Sequence, residues 1–262
     1  MQLWQAASFV FFLYIVVILA SRGAATRAAM QRVVAGSIAG VGTVLLSLVH
    51  GAPAILTDLL LPPLVLLIAY WTSGMLFVAP IAAQERALER LDNRLNILTF
   101  ARGLPRVIVE LLEAAYLGVY ALIPVALLIH IFFSKRPDPA QFWAVILITD
   151  FVCFAVLPWV QTRPPRALEA TEPWTSSIRK LNLRLLGSAS IQVNTFPSGH
   201  AAEGLAAALL VLDAPAPIVV LMLIAAVKVA AGAVLGRYHY LADALAGFAV
   251  AVSVWTIIGA AP

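Results

Sequence analysis

The stretch Leu3–Ala20, LWQAASFVFFLYIVVILA, carries no charged residue, and Arg22, Arg27 and Arg32 follow it closely. A secretory signal has its positive charges ahead of the apolar run, so this order predicts a retained membrane helix. About 20 mostly apolar residues cross a bilayer, and this run is of that length. Further apolar runs lie near 33–50, 58–79, 107–133, 141–160, 200–213, 217–236 and 240–260. The fold predicted from them is an all-α polytopic membrane helix bundle of about eight transmembrane helices. The sixth run is the shortest. It ends at DAPAP, where Pro215 and Pro217 break the helix. It reaches further back only if the preceding PSGH turn is already sunk in the membrane.

Composition agrees with that fold: 62% of residues are hydrophobic and 11% are charged, too apolar for a soluble globule to hide. The formal charge of +4 is spread over arginines between the apolar runs. It points to lipid headgroups or anionic substrates and not to nucleic acid. Cys153 is the single cysteine and lies in an apolar run, so it reads as a small buried hydrophobe without a disulfide. The pairs Gly36/Gly40 and Gly232/Gly236 read as close helix contacts.

Two connections are long. In 81–102, Leu88, Leu91, Leu95 and Leu98 form one helical stripe and Arg86, Arg90 and Arg94 another, the pattern of a helix lying in the headgroup layer. In 161–199, Trp174, Ile178, Leu181 and Leu185 repeat at similar spacing with Arg179, Lys180 and Arg184 between them, a second interfacial helix or a lid.

Chemistry concentrates in three places. NTFPSGHAAEG, residues 194–204, sets Ser198, Gly199 and His200 at a helix start, where backbone N–H groups favour an anion. GRYHYLADALAG holds His239 with Asp243 four residues on, a carboxylate that can orient one ring nitrogen and leave the other nucleophilic. QTRPPRALE brings Arg163 and Arg166, whose forks suit phosphate oxygens, onto a stiff proline pair. His50 and His130 fall near helix ends without such company and read as interfacial packing. The eight-helix topology puts all three clusters on one membrane face.

The ordered set R-P at Arg163, P-S-G-H at 197–200 and H-x3-D at His239 and Asp243 resembles the type-2 phosphatidic acid phosphatase superfamily. The pattern of that family is K-x6-R-P, P-S-G-H and S-R-x5-H-x3-D on a six-helix core. The resemblance covers roughly 58–262, and leaves 1–57 as an additional N-terminal transmembrane hairpin. It implies that His239 is the nucleophile, Asp243 its orienting carboxylate and His200 the general acid. It also implies that Ser198, Gly199 and Arg163 bind the phosphate, with no metal and no other cofactor. Two family cations are missing: the lysine position is Val156 and the arginine position is Ala233. Arg166 and Arg237 are the candidates to replace them in space. Lys228 is either a further phosphate ligand or an ion-pair partner at the depth of Glu113 and Asp150.

The expected protein is therefore a lipid phosphate phosphatase whose partners are its lipid substrate and the bilayer. RPPR and YHYLAD are similar to the branch containing inositol phosphorylceramide synthases, so transfer of the phosphoryl-linked headgroup to an alcohol is the alternative. A transporter or scaffold is the alternative of another class, but no pair of similar halves is visible. The expected location is the inner membrane. Arg22, Arg27, Arg32, Arg86, Arg90, Arg94, Arg102 and Arg106 fall on the motif side against Lys135 and Arg136 on the other, which puts the site on the cytoplasmic face. The family resemblance favours the outer face.

Overall fold

The computed structural model describes residues 1–22 and 27–259, and among them the fold is all-α. The helices are α1 Leu3–Arg22, α2 Arg27–Leu46, α3 Leu61–Gly74, α4 Ala82–Arg94, α5 Ile97–Arg102, α6 Arg106–Phe133, α7 Pro139–Val156, α8 Ser177–Ala189, α9 Gly199–Leu209, α10 Ala216–Leu235 and α11 Leu241–Val254. Among the described residues, seven segments are long and apolar enough to cross a membrane. They are α1, α2, α6, α7, α10, α3 with the π-helical turn before it, and α11 with the π-helical turn after it. The protein is an integral multi-pass membrane protein.

The sixth apolar run accounts for the difference between about eight and seven. Its helix, α9, has 11 residues, about 16 Å of rise. The Leu210 carbonyl beyond its C-terminal end bonds His130 of α6 at 3.0 Å. Asp213 accepts from Ser134 Oγ and Lys135 N, just past α6, at 2.7 and 2.9 Å. Those contacts anchor α9 at the membrane face opposite the motifs. At that rise, helix α9 is too short to cross a ~30 Å hydrocarbon core by itself.

Helix α7 is the central post: 61% of its apolar window is buried, against 28–44% for the other six spans. Beyond its first turn it is apolar on every side but for Thr149 and Asp150, as a helix surrounded by others must largely be. Asp138 caps it, accepting from Ala140 N and Gln141 N, and Pro139 fills the first position, where no N–H is needed. Helix α9 packs on α6, α7, α10 and α11 through Ala201, Ala202, Gly204 and Ala206–Ala208, small residues that let four helices close around it. Helix α1 lies along α7, and α2 lies against α1 and α3. The glycine pairs do sit at close contacts, with Gly40 facing the Phe12 ring, Gly36 facing Thr72 and Gly232 the Leu112 main chain.

Both amphipathic connections are helical, but their buried faces differ from the leucine stripes. The first breaks at Asn96, a left-handed residue with φ 52° that separates α4 from α5. Helix α4 buries Glu85 and Asp92, which lie on one face at i, i+7, while Leu95 is exposed. Helix α8 buries Arg179, Asn182 and Leu186, and it exposes Leu181 and Leu185. In both cases buried charge sets the rotation, because an unpaired ion inside costs more than a leucine left at the interface.

Candidate active site

Main-chain hydrogen bonds join the three motif clusters. Ser198 N donates to the Asp243 carbonyl at 2.9 Å and Arg166 N to the Arg237 carbonyl at 3.0 Å. Asn194 N donates to the Thr162 carbonyl at 2.9 Å, and Asn194 Nδ2 to Thr162 Oγ1 at 3.0 Å. Tyr240 OH reaches the Arg163 carbonyl at 3.1 Å. Gly247 of α11 faces the Ser198 carbonyl so closely that a Cβ there would collide with it. The N-termini of α9 and α11 therefore meet at one point and present their partial positive charge there.

At that point the His200 and His239 rings stand 6.1 Å apart, centroid to centroid. His239 precedes α11 and is not on the same helix face as Asp243, as its i, i+4 spacing had implied. Tyr240 is the N-cap, and the Asp243 carboxylate folds back to accept from Tyr240 N at 2.9 Å. The same oxygen, Oδ2, lies 3.4 Å from His239 Nδ1. Asp243 is fully buried and His239 nearly so. With Nδ1 turned to the carboxylate, Nε2 is the nitrogen left for chemistry. Ser198 caps α9 through Ala201 N, and it and Gly199 are buried.

The arginines divide sharply. Arg163 donates through Nε and Nη2 to both oxygens of Glu85, each at 2.9 Å, and its hydrogen bonds hold the Glu85 carboxyl below the usual carboxylate range. Arg237 bonds Asp92 at 2.5 Å and Glu169 at 2.7 Å. The sequence suggests both as phosphate ligands, but in the structure their forks are occupied by carboxylates, and they staple α4 and the RPPR segment to the histidine turn. Arg166 has no carboxylate partner among the described residues. Its guanidinium lies 5.5 Å from the Tyr238 ring centroid and lines a cavity of about 260 Å³ shared with Arg179, Glu169 and Thr171. Burial lowers its pKa from the ordinary arginine value, and it stays charged. Lys228 is exposed on α10 and makes no ion pair among the described residues, so it neither pairs with Glu113 or Asp150 nor enters the site.

One charged centre was not foreseen as such. Glu113 of α6, 1% exposed, accepts from Arg179 Nη1 at 3.1 Å, Trp174 Nε1 at 2.6 Å, Asn182 Nδ2 at 2.6 Å and Tyr238 OH at 2.7 Å. The network docks α8 on α6 beside the residue that precedes His239. Deeper, Asp150 of α7 faces Glu203 of α9, and its Oδ1 lies against Gly199. A larger cavity, about 940 Å³, opens at the opposite face. His130 in its wall has Nδ1 on the Leu210 carbonyl and Nε2 accepting from Asp138 N, which is a packing role.

A family model described as the PAP2 superfamily matches residues 80–257. The chain belongs to the PAP2 superfamily. No curated protein and no solved structure matches it. Membership makes this a phosphatase-like enzyme of lipid phosphates in general terms, and α1–α3 lie outside the matched range. The two departures from the PAP2 pattern now have surroundings. Val156 ends α7, whereas Ala233 is fully buried beneath the Tyr116 and Tyr238 rings, which fill the volume a longer side chain would need. The Ala233 carbonyl also accepts from both Tyr238 N and His239 N at 2.9 Å, fixing the turn that presents the histidine.

Proposed function

We propose that this protein is a metal-independent lipid phosphate phosphatase that works through a phosphohistidine on His239. The observation that carries the reading is the facing pair of histidines at two converging helix N-termini, one of them backed by a buried carboxylate. His239 Nε2 attacks phosphorus while its Nδ1–H is held by Asp243. The bond from phosphorus to the lipid oxygen breaks, and His200 gives its proton to that oxygen, releasing the lipid alcohol. Water then attacks the phosphohistidine and loses a proton to His200. The P–N bond breaks, and inorganic phosphate leaves. Ser198 and Gly199 supply helix N-terminal dipoles to the phosphate, and Arg166 supplies the free cation.

Residues 58–262 form the catalytic core on this reading, and 1–57 an added hairpin that buttresses α7 and α3. A site where the ends of membrane-spanning helices meet suits the headgroup phosphate of a lipid held in the bilayer, such as phosphatidic acid, phosphatidylglycerophosphate, a sphingoid phosphate or a polyprenyl pyrophosphate. The test is to incubate purified protein with a panel of such labelled lipids, with and without candidate alcohols. Phosphate release in water alone supports hydrolysis. Product that appears only with an alcohol, carrying the transferred group, would replace it with phosphotransfer. No turnover of any member would remove the phosphatase reading.

A further inference from the structure

His239 Nδ1 lies 3.4 Å from the buried Asp243 carboxylate, close but without hydrogen-bond geometry, whereas His200 has no carboxylate so placed among the described residues. Its Nε2 is buried without a hydrogen-bond partner among the described residues. What surrounds the ring is aromatic. Tyr116 of α6 lies almost parallel to it, with centroids 5.3 Å apart and 16° between planes, and Tyr120 meets it edge-on at 5.7 Å. Tyr116 is itself stacked on Tyr238, at 4.1 Å and 3°. The guanidinium groups of Arg179 and Arg166 lie 5.3 and 5.5 Å from the Tyr238 centroid. Arginine, Tyr238, Tyr116 and His200 thus make one continuous pile, closed at its outer end by charges held in the Glu113 network.

We propose that Tyr116 is the positioning residue of His200, and that this aromatic pile does for the proton donor what Asp243 does for the nucleophile. An imidazole free to rotate about its Cβ–Cγ bond loses the aim that proton transfer needs. Misplacement by about 1 Å costs roughly 100-fold in rate. Parallel rings restrict that rotation without adding a charge, so the donor nitrogen stays unbonded and turned to the substrate. The small Ala233 at the family's arginine position makes room for the pile. The inference rests on His200 being the proton donor.

A leaving group that needs no proton separates the two claims. Turnover of a long-chain alkyl phosphate, whose alkoxide must be protonated, is compared with that of para-nitrophenyl phosphate, whose phenolate leaves unaided. The alkyl-to-aryl ratio of kcat/KM is the readout, because kcat/KM ends at release of the leaving group, before the phosphohistidine hydrolysis that both substrates share and that His200 also serves, and because partial loss of folded protein lowers both values alike. Tyr116→Leu is expected to lower the ratio by about tenfold or more, and Tyr116→Phe to retain it, since the ring and not the hydroxyl does the work. Tyr116→Met, of similar volume, serves in the same way if the leucine variant yields no folded protein. An unchanged ratio in the leucine or methionine variant, or an equal drop in the phenylalanine one, overturns the inference. His200→Ala is the control. If it lowers both rates alike, His200 is not the donor and the underlying reading fails. If it lowers the ratio while Tyr116→Leu does not, the stacking inference fails alone.

Discussion

At the scale of single residues, three arginines of the site neighbourhood answer to carboxylates and one does not. Arg163, Arg179 and Arg237 are held by Glu85, by Glu113 with Glu172, and by Asp92 with Glu169. Arg166 carries the only guanidinium of the RPPR and YHY segments free of such a partner among the described residues, so the same substitution has opposite meanings at two positions. Arg166→Ala is expected to leave the thermal midpoint near wild type and to lower kcat/KM by about 100- to 1,000-fold, through the loss of a charged donor to the transition state. Arg237→Ala is expected to cost about 3–5 kcal/mol of stability, because it leaves Asp92, 2% exposed, buried and unpaired. Thermal unfolding and steady-state kinetics on both variants check the contrast. The two histidines, the aspartate and the turn that the fold brings together were legible in the sequence because the motifs fix residue type and order. The sequence could not sort the arginines, since their partners Glu85, Asp92 and Glu169 are distant in the chain and belong to no motif.

At the scale of elements, the apolar spans were legible because a bilayer imposes length and hydropathy on each one separately. The surface helices were legible as helices, but the faces they turn to the protein were not. In α8 the stripe of Ile178, Leu181 and Leu185 suits an interfacial helix, and Leu181 and Leu185 are exposed, while Arg179 and Asn182 turn inward, drawn by Glu113. The signal available was Glu113 itself, an acid in the middle of an apolar span that requires a cation from elsewhere. Glu113→Ala is therefore expected to release α8 from α6, leaving the Arg179 guanidinium buried without its main counter-ion at a cost of about 3–5 kcal/mol. Limited trypsin digestion reads it directly. Cleavage after the exposed Lys180 and Arg184 should accelerate at least several-fold in the variant relative to wild type. Equal rates would mean that α8 is held by something other than this charge centre.

At the scale of the whole molecule, the spans alternate so that the loops carrying the three motifs gather on one face. The count of eight was close because the chain makes eight passes, of which α9 alone is too short to span. Nothing in the apolar residues of α9 told where the PSGH turn would sit. The excess of exposed arginines on the motif face leads to the proposal that this face is cytoplasmic. Single cysteines at Ser177 and Pro137 in a Cys153→Ala background, labelled in intact cells with a membrane-impermeant thiol reagent, test it. Labelling at 137 and not at 177 is expected, and the reverse would place the site outside. The account's central claim is tested most directly by trapping the intermediate: purified protein is mixed briefly with a lipid carrying radiolabelled phosphate, quenched in alkali, and mapped by mass spectrometry. The account expects one acid-labile, alkali-stable phosphoryl group on His239, lost in His239→Ala and accumulating in His200→Ala with a substrate whose leaving group needs no proton. Phosphate release at the wild-type rate by His239→Ala, or a phosphoryl group found on another residue, would contradict it.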